Sequence, residues 1–576
     1  MTRFPRFHLW LGAAVITGLA ACAAEPPTQP QPVATPALHP AETTPAYSDA
    51  QAELRQSRAA DQAIQQQGKL QAQRLMAAPA ITPRPPRPSQ HFNREGYEAI
   101  TEHRFHDPRV TPLSTFGLDV DTASYANVRR LLNAGRMPPV DAVRVEELIN
   151  YFDYSPLPVS GEHPIRLRSE LTQAPWAPGH LLAMVQVAAE VPTPAERGPN
   201  RLVFLIDTSG SMQAADKLPM LQRAYRQLIE QLDANDSVAI VTYAGQAGLA
   251  LPATSGEQKT ALLQAINQLR AGGSTAGAQG IELAYRIARE QFDPQANNRV
   301  ILATDGDFNV GASSQGELVR LIEKHRDQGI FLTVLGLGTG NYQDGRMHRL
   351  ADHGDGNYYY IDSDLEARRV LVDKLQGTLV TVAKDVKLQV EFNPEAVASY
   401  RLLGYESRAL AAEDFTDDRK DAGDVGAGQR VTALYEIVPK AGHGSTAPSL
   451  RYQSRASRPT ARHSGEWMLV KARYKQPAGG ASQPLRHVVA SQPRPMDDAS
   501  DDLQWAASVA EFGLILRSSD HAGQASLTAV LQRAERLAAG HQPLRREFVG
   551  LVRQASALAL TQPGRPVPPL AAHHRQ

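Results

Sequence analysis

From Arg201 to about Leu379 the chain alternates short apolar runs with longer amphipathic stretches. Apolar runs of strand length fall at 201–207, 236–244, 298–304, 330–336 and 357–361, and helical periodicity at 217–233, 257–270, 277–291, 314–327 and 364–378. Continuous apolar strands separated by helices predict a doubly wound, mostly parallel sheet with helices on both faces, an α/β domain over 199–380. The flanks follow a period of two. Ile165 to Ser169 and Leu181 to Val187 precede the α/β segment, and Val386, Leu388, Val390 and Phe392 alternate with polar residues after it, followed by apolar runs at 431–438 and 467–474. These flanks, 161–196 and 385–480, predict a β-sandwich in which the α/β domain is inserted or by which it is flanked. Insertion requires the two ends of the inserted domain to lie close together.

Helical patterns return outside the sandwich. In an N-terminal helical region over 111–160, Asp121 or Thr122 is placed to cap a helix carrying Val128, Leu131 and Leu132, with Gly135 as its stop, and a second helix is expected from Val143 to Phe152. A C-terminal helical domain spans 500–560, where Trp505, Val509, Phe512 and Leu516, then Leu527, Val530 and Leu531, then Phe548, Leu551 and Val552 form apolar stripes. The tail over 561–576 reads as disordered.

The first residues change the setting. Arg3 and Arg6 precede an apolar stretch too short to span a bilayer, and it ends in Leu19-Ala20-Ala21-Cys22. This arrangement resembles a bacterial lipoprotein signal over 1–21, which implies acylation at Cys22. Ala23 is not the aspartate associated with inner-membrane retention, so the outer membrane is the expected destination. Residues 22–110 are rich in Pro, Gln and Ala and read as a disordered linker whose first ~65 residues reach on the order of 45 Å. Membrane association is then through a lipid anchor only. Cys22 is the only cysteine of the 576 residues, so no internal disulfide can form. Lys plus Arg and Asp plus Glu number 60 each, and this balance, with no basic block, argues against nucleic acid as a partner.

The chemistry concentrates at strand ends. Leu202 to Met212 ends a strand in D-x-S-x-S, bringing Asp207, Ser209 and Ser211 together as oxygen ligands for a hard divalent cation. Gly272 to Gly277 offers the hydroxyls of Ser274 and Thr275 among glycines, and Val300 to Thr304 runs into Asp305-Gly306-Asp307. These three loops resemble the metal-ion-dependent adhesion site of the von Willebrand factor A domain. The resemblance implies that Asp207, Ser209, Ser211, Thr275 and Asp305 gather one Mg²⁺, with Mn²⁺ or Ca²⁺ as alternatives, completed by an Asp or Glu carboxylate of a protein partner. The segments around Ser114 to Arg130 and Val143 to Tyr154, with residues 503–553, resemble the flanks of a family of bacterial von Willebrand factor A lipoproteins.

Other motifs are weaker. Asp119 and Asp121 form a possible acid pair, for which a strand end followed by a helix cap is the simpler reading. Gly336 to Gly340 lacks the full G-x-G-x-x-G spacing and reads as a strand-to-helix turn. His103 and His106 form an isolated H-x-x-H, and no G-x-S-x-G elbow accompanies the serines. The expected function is therefore non-enzymatic: metal-dependent binding of a protein at the cell envelope. The alternatives are an envelope assembly or stress scaffold with a structural metal, and regulation of a membrane transporter or channel.

Overall fold

The structure is a computed structural model that describes residues 95–118, 121–157, 162–193, 198–274, 277–306, 315–340, 342–374, 380–420, 422–440, 465–477, 479–540 and 543–561. Cys22, the signal and most of the expected linker, Asp119, Thr275 and residues 562–576 of the tail lie outside these residues. Among the described residues no helix is long and apolar enough to cross a membrane.

The chain begins with β1 (Leu113–Gly117), α1 (Ala123–Asn133) and α2 (Val145–Asn150), then β2 (Ile165–Gln173) and β3 (Leu181–Ala189). The α/β domain follows as β4 (Asn200–Asp207), α3 (Leu218–Gln231), β5 (Ser237–Tyr243), β6 (Ala247–Ser255), α4 (Lys259–Gln268), α5 (Gly277–Glu290), β7 (Asn297–Thr304), α6 (Gln315–Arg326), β8 (Ile330–Leu337), α7 (Asp344–His353), β9 (Tyr358–Ile361) and α8 (Asp364–Arg368). Its sheet has the order β6-β5-β4-β7-β8-β9, parallel except for the antiparallel edge strand β6. Leu202, Phe204 and Ile206 of β4 pack with α3, α4 and α8 on one face, whereas Val203 and Leu205 pack with α5, α6 and α7 on the other. Two-sided burial is why these strands are continuously apolar.

Two elements escaped the periodicity. Strand β6 is exposed along most of its length, so AGLALPATS carries no core pattern, and Pro252 is tolerated because the strand is an edge. Helix α7 is short and mainly polar, yet it buries Met347 and Leu350. The last helix of the domain is also shorter than its pattern: α8 is α-helical only to Arg368 and continues as a π-turn over Arg369–Asp373.

The remaining strands are β10 (Thr381–Phe392), β11 (Val397–Leu403), β12 (Ala409–Leu410), β13 (Val425–Gly426), β14 (Arg430–Pro439), β15 (Met468–Lys475) and β16 (Gln483–Val489). One antiparallel sheet runs β12-β1-β10-β15-β16, with β13 on β10, and the other runs β11-β14-β3-β2. Their inner faces share one core, in which Phe116, Leu388 and Val470 meet Val185, Val187 and Tyr435. Strands from before and after the α/β domain thus pair directly, β1 with β10 and β3 with β14, so the domain is inserted in a single sandwich. The turn at 427–428 holds both ends of the insertion: Ala427 N–H donates to Val380 O (2.7 Å) and Gly428 N–H to Glu190 O (2.8 Å).

A third body is helical. Helices α9 (Asp501–Leu516), α10 (Leu527–Leu537) and α11 (Pro543–Thr561) share a core with α1 and α2, in which Trp505, Phe512 and Phe548 pack on Phe152 and Tyr125. Ser500 and Ser526 cap α9 and α10 by accepting the N–H of Leu503 and Ala529.

Two expectations are corrected here. Residues 95–110 are not linker but part of the folded body: Glu95 accepts from Arg130 Nη2 (3.0 Å) and Gly340 N–H (3.2 Å), and His106 exchanges backbone bonds with Tyr400. These contacts are polar and long-range, so no local pattern announces them. Asp121 does not cap α1, whose N-cap Thr122 also makes no side-chain capping bond; Asp121 Oδ1 instead accepts the Tyr358 N–H at 2.7 Å.

The bodies are joined through buried charge. Arg129 of α1 is 3 % exposed and donates to Asp362 (2.8 Å from Nε) and Glu366 (2.9 Å) of the α/β domain, to Glu547 (2.9 Å) of α11 and to the Tyr151 hydroxyl (2.7 Å). Burial alone would raise Glu366, but Arg369 and Arg129 outweigh it and hold its carboxyl at about 2. Removing Arg129 would strand Asp362 as an uncompensated buried charge and leave Glu366 with Arg369 alone. Arg129→Ala is expected to cost about 3–5 kcal/mol in urea unfolding, with Arg129→Lys recovering only part because an ammonium cannot fork between two carboxylates. A carboxyl lowered on folding contributes stability that is complete above its unfolded value and lost as acid approaches its folded value. Glu366 should therefore give wild type a loss of stability between about pH 4.5 and pH 2, measured by urea midpoints, that Glu366→Gln lacks.

Candidate metal centre

Strands β4 and β7 are neighbours in register, with Ile206 opposite Ala303, so their next residues meet at the point where the order of strands reverses. Ligands of such sheets gather at this crevice, outside the carboxyl ends of the strands. Thr304 Oγ1 donates to Asp207 Oδ2 (3.2 Å), and Asp305 follows at the end of β7. Asp207 Oδ1 accepts the Ser209 N–H (2.9 Å), which folds the loop back so that the Ser209 and Ser211 hydroxyl oxygens lie 3.0 Å apart. The glycine loop docks on the same edge, with Gly210 N–H donating to Gly273 O (3.0 Å) and Gly272 N–H to Thr208 O (2.8 Å). Gly273 has φ 86, and a Cβ there would stand 3.2 Å from Gly245 N, so this close approach needs glycine.

The structure therefore brings Asp207, Ser209, Ser211 and Asp305 to one crevice, with the described part of the glycine loop beside them; Thr275 itself lies outside the described residues. Asp207 and Asp305 are buried. Burial, with Asp305 adding like charge, raises the Asp207 carboxyl to about 6 against the bonds from Ser209 and Thr304 that lower it. Lys217 donates from Nζ to Asp305 Oδ2 at 2.7 Å, giving one ammonium for two carboxylates. Hard oxygen donors with a surplus of negative charge fit a divalent cation such as Mg²⁺.

Sequence reading missed Lys217, although it carries a signal: it occupies the N-cap position of α3, where the macrodipole disfavours a cation and a hydroxyl or carboxylate is usual. The Gly336 to Gly340 run is its counterpart. It is the turn from β8 towards α7, and at Gly338 (φ 69) a Cβ would fall 2.4 Å from the Lys217 side chain.

A second cluster holds Asp121, Glu147 and His348, all buried, with one ligand atom from each within 4.8 Å of the others. Each of its two carboxylates already has a guanidinium in contact. Asp121 Oδ2 faces His348 Nε2 (3.1 Å) and Arg408 Nη2 (3.2 Å), while Glu147 accepts from Arg144 Nη1 (3.0 Å) and the Ser124 N–H (2.8 Å). Arg144 also pairs with Asp344. This cluster joins the N-terminal helices, the α/β domain and the sandwich as a closed network, and its two arginines oppose a further cation. Its members are far apart in the chain, so sequence alone could not assemble it.

Comparisons with known proteins agree with this architecture. Residues 202–376 match the von Willebrand factor type A domain family, residues 91–184 a family described as von Willebrand factor, and residues 377–558 the C-terminal family of the uncharacterized protein YfbK. YfbK of Escherichia coli (strain K12) is 40% identical over 513 residues, covering 87% of this chain and 88% of its own length. Inter-alpha-trypsin inhibitor heavy chain H4 of Sus scrofa is 26% identical over 228 residues, covering 38% of this chain but only 22% of its own length. Among solved structures, a von Willebrand factor type A protein from Catenulispora acidiphila aligns with a TM-score of 0.37 and 18% identity, covering 69% of this chain and 91% of that one. A two-domain insertion with the D-x-S-x-S crevice at its sheet, matched along nearly the whole of a bacterial relative, places this chain in the family of bacterial von Willebrand factor type A domain proteins that includes YfbK.

Proposed function

We propose that the protein is a divalent-metal-dependent binding module for a protein partner, held at the cell envelope by a lipid on Cys22. The observation that carries this reading is the pair of acids at the ends of β4 and β7: Asp207 and Asp305 are buried, Asp305 beside the Lys217 ammonium and Asp207 beside the neutral Ser209 N–H and Thr304 hydroxyl. Asp207, Ser209, Ser211, Thr275 and Asp305 would hold Mg²⁺, and the ion would supply an electrophilic position for an incoming Asp or Glu carboxylate. The chain's own part is to fix the hydroxyls, by the Ser209 turn onto Asp207, and to keep the crevice in register through Thr304. Nothing in this arrangement calls for catalysis: the hydroxyls of Ser209 and Ser211 bond each other rather than a histidine base.

The test is capture of envelope proteins on the immobilised chain in about 10 mM Mg²⁺, roughly tenfold or more above the dissociation constants of weak oxygen sites, or in EDTA. A specific partner is expected to be lost at least about tenfold in EDTA and with Asp207→Ala, corresponding to ~1.4 kcal/mol or more, and to return with Mg²⁺. Capture indifferent to both treatments contradicts the proposal. A metal-dependent rise in melting temperature without any metal-sensitive partner would instead favour the scaffold with a structural ion.

A further inference from the structure

At the opposite edge of the same sheet lies a cavity of about 560 Å³, between the start of β7 and the sandwich turn over 422–429. Arg299 lines it. This position precedes Asp305 by six residues of extended chain, which puts the cavity roughly 20 Å from the crevice. The size falls within the range of small-molecule sites.

Arg299 differs from the other arginines at this edge. Arg408 is matched by Asp121 (3.2 Å) and Asp352 (2.6 Å), and Arg326 by Asp327 (2.9 Å). Arg299 is 2 % exposed, donates from Nη1 to the neutral hydroxyl of Thr333 (2.9 Å), lies 5.4 Å from the centre of the Phe331 ring, and has no partner at Nε. Burial lowers its guanidinium to about 10; Asp424 and Asp355 favour the charge without relieving it. A buried guanidinium without a carboxylate is costly unless an anion completes it. Its geometry suits a planar carboxylate, to which an arginine edge offers two parallel N–H bonds. Glu323, Asp352, Asp355 and Asp424 also line the cavity, the first two against His353 and Arg408, and would repel a phosphate dianion more strongly than a single negative charge. Lys420 stands exposed at the rim.

We propose that this cavity binds a carboxylate carried on a small polar molecule, with Arg299 as the anchor and Lys420 at the entrance. The site is separate from the metal crevice and does not depend on the reading given to it. Its occupant would bridge the inserted domain and the sandwich, since residues of both line it.

The test is calorimetric titration of the full chain in buffer freed of divalent metal on a chelating resin, which silences the crevice without adding a soluble carboxylate, with two matched pairs: D-glucuronate against D-glucose, and N-acetylalanine against its methylamide. At least one carboxylate is expected to bind saturably and about tenfold or more tighter than its neutral partner, a difference of ~1.4 kcal/mol. Arg299→Met should abolish that preference while melting at the same temperature or higher, because it removes a buried uncompensated charge. Lys420→Ala, at an exposed position, should weaken binding severalfold without touching the fold. The proposal is overturned by neutral analogues binding as well as the acids, by inorganic phosphate binding more tightly than either acid, by saturation with neither acid, or by a preference that survives in Arg299→Met. If Arg299→Met does not fold, an undiminished preference for the acids in Lys420→Met overturns it instead.

Discussion

Charge taken out of water must be matched by charge inside, and the places where this protein matches it fully differ in role from the places where it does not. Around Arg129 the buried charges balance: Asp362 and Glu366 of the inserted domain face Arg129 and Arg369, and the partly exposed Glu547 and the Tyr151 hydroxyl add further bonds to Arg129. Where Arg144 and Arg408 meet Asp121, Glu147, Asp344 and Asp352, each carboxylate likewise has a guanidinium in direct contact, each arginine serving two acids. Such networks add modestly to stability when intact but are strongly destabilising when one member is lost, so they fix how the bodies dock. At the ends of β4 and β7 the contacts are different, because Lys217 touches Asp305 while Asp207 is held by the neutral Ser209 N–H and Thr304 hydroxyl. Burial, with the Asp305 charge as a smaller addition, raises the Asp207 carboxyl there.

The insertion gives these charges their positions. A domain spliced into a sandwich must leave and re-enter at nearly the same point, and the turn that bonds both Glu190 and Val380 meets that requirement. The first and last strands of the sandwich core then come from opposite ends of the sequence, as does the helical core that joins α1 and α2 to α9, α10 and α11. The last element of the inserted domain, α8 with its π-turn, carries Glu366 and Arg369 into the Arg129 network. The strand ends with the crevice and α8 with its ion pairs therefore belong to the same inserted domain, α8 packing on the sheet face that carries Leu202, Phe204 and Ile206.

What the sequence made legible was what repeats locally. Apolar runs buried on both faces announced the parallel strands, and D-x-S-x-S at the end of β4 with Asp305 at the end of β7 announced the crevice, because short loops after adjacent strands must meet. Strand β6 and helix α7 were not legible since edge exposure and small length erase the pattern. Residues 95–110 were mistaken for linker because their anchors, such as Glu95 on Arg130, are single polar contacts. Lys217, Arg299 and the Asp121, Glu147 and His348 cluster depend on three-dimensional neighbours; only Lys217 left a trace, as a cation where a helix start prefers the opposite.

The central claim is that the surplus negative charge at the ends of β4 and β7, and not the closed cluster at His348, takes up a divalent cation. Titration with Mn²⁺ followed by electron paramagnetic resonance counts bound ions directly. The account predicts one ion per chain, displaced by Mg²⁺, abolished by Asp305→Asn and retained in Glu147→Gln. An ion that persists in Asp305→Asn and disappears in Glu147→Gln, or no bound ion at all, would contradict it.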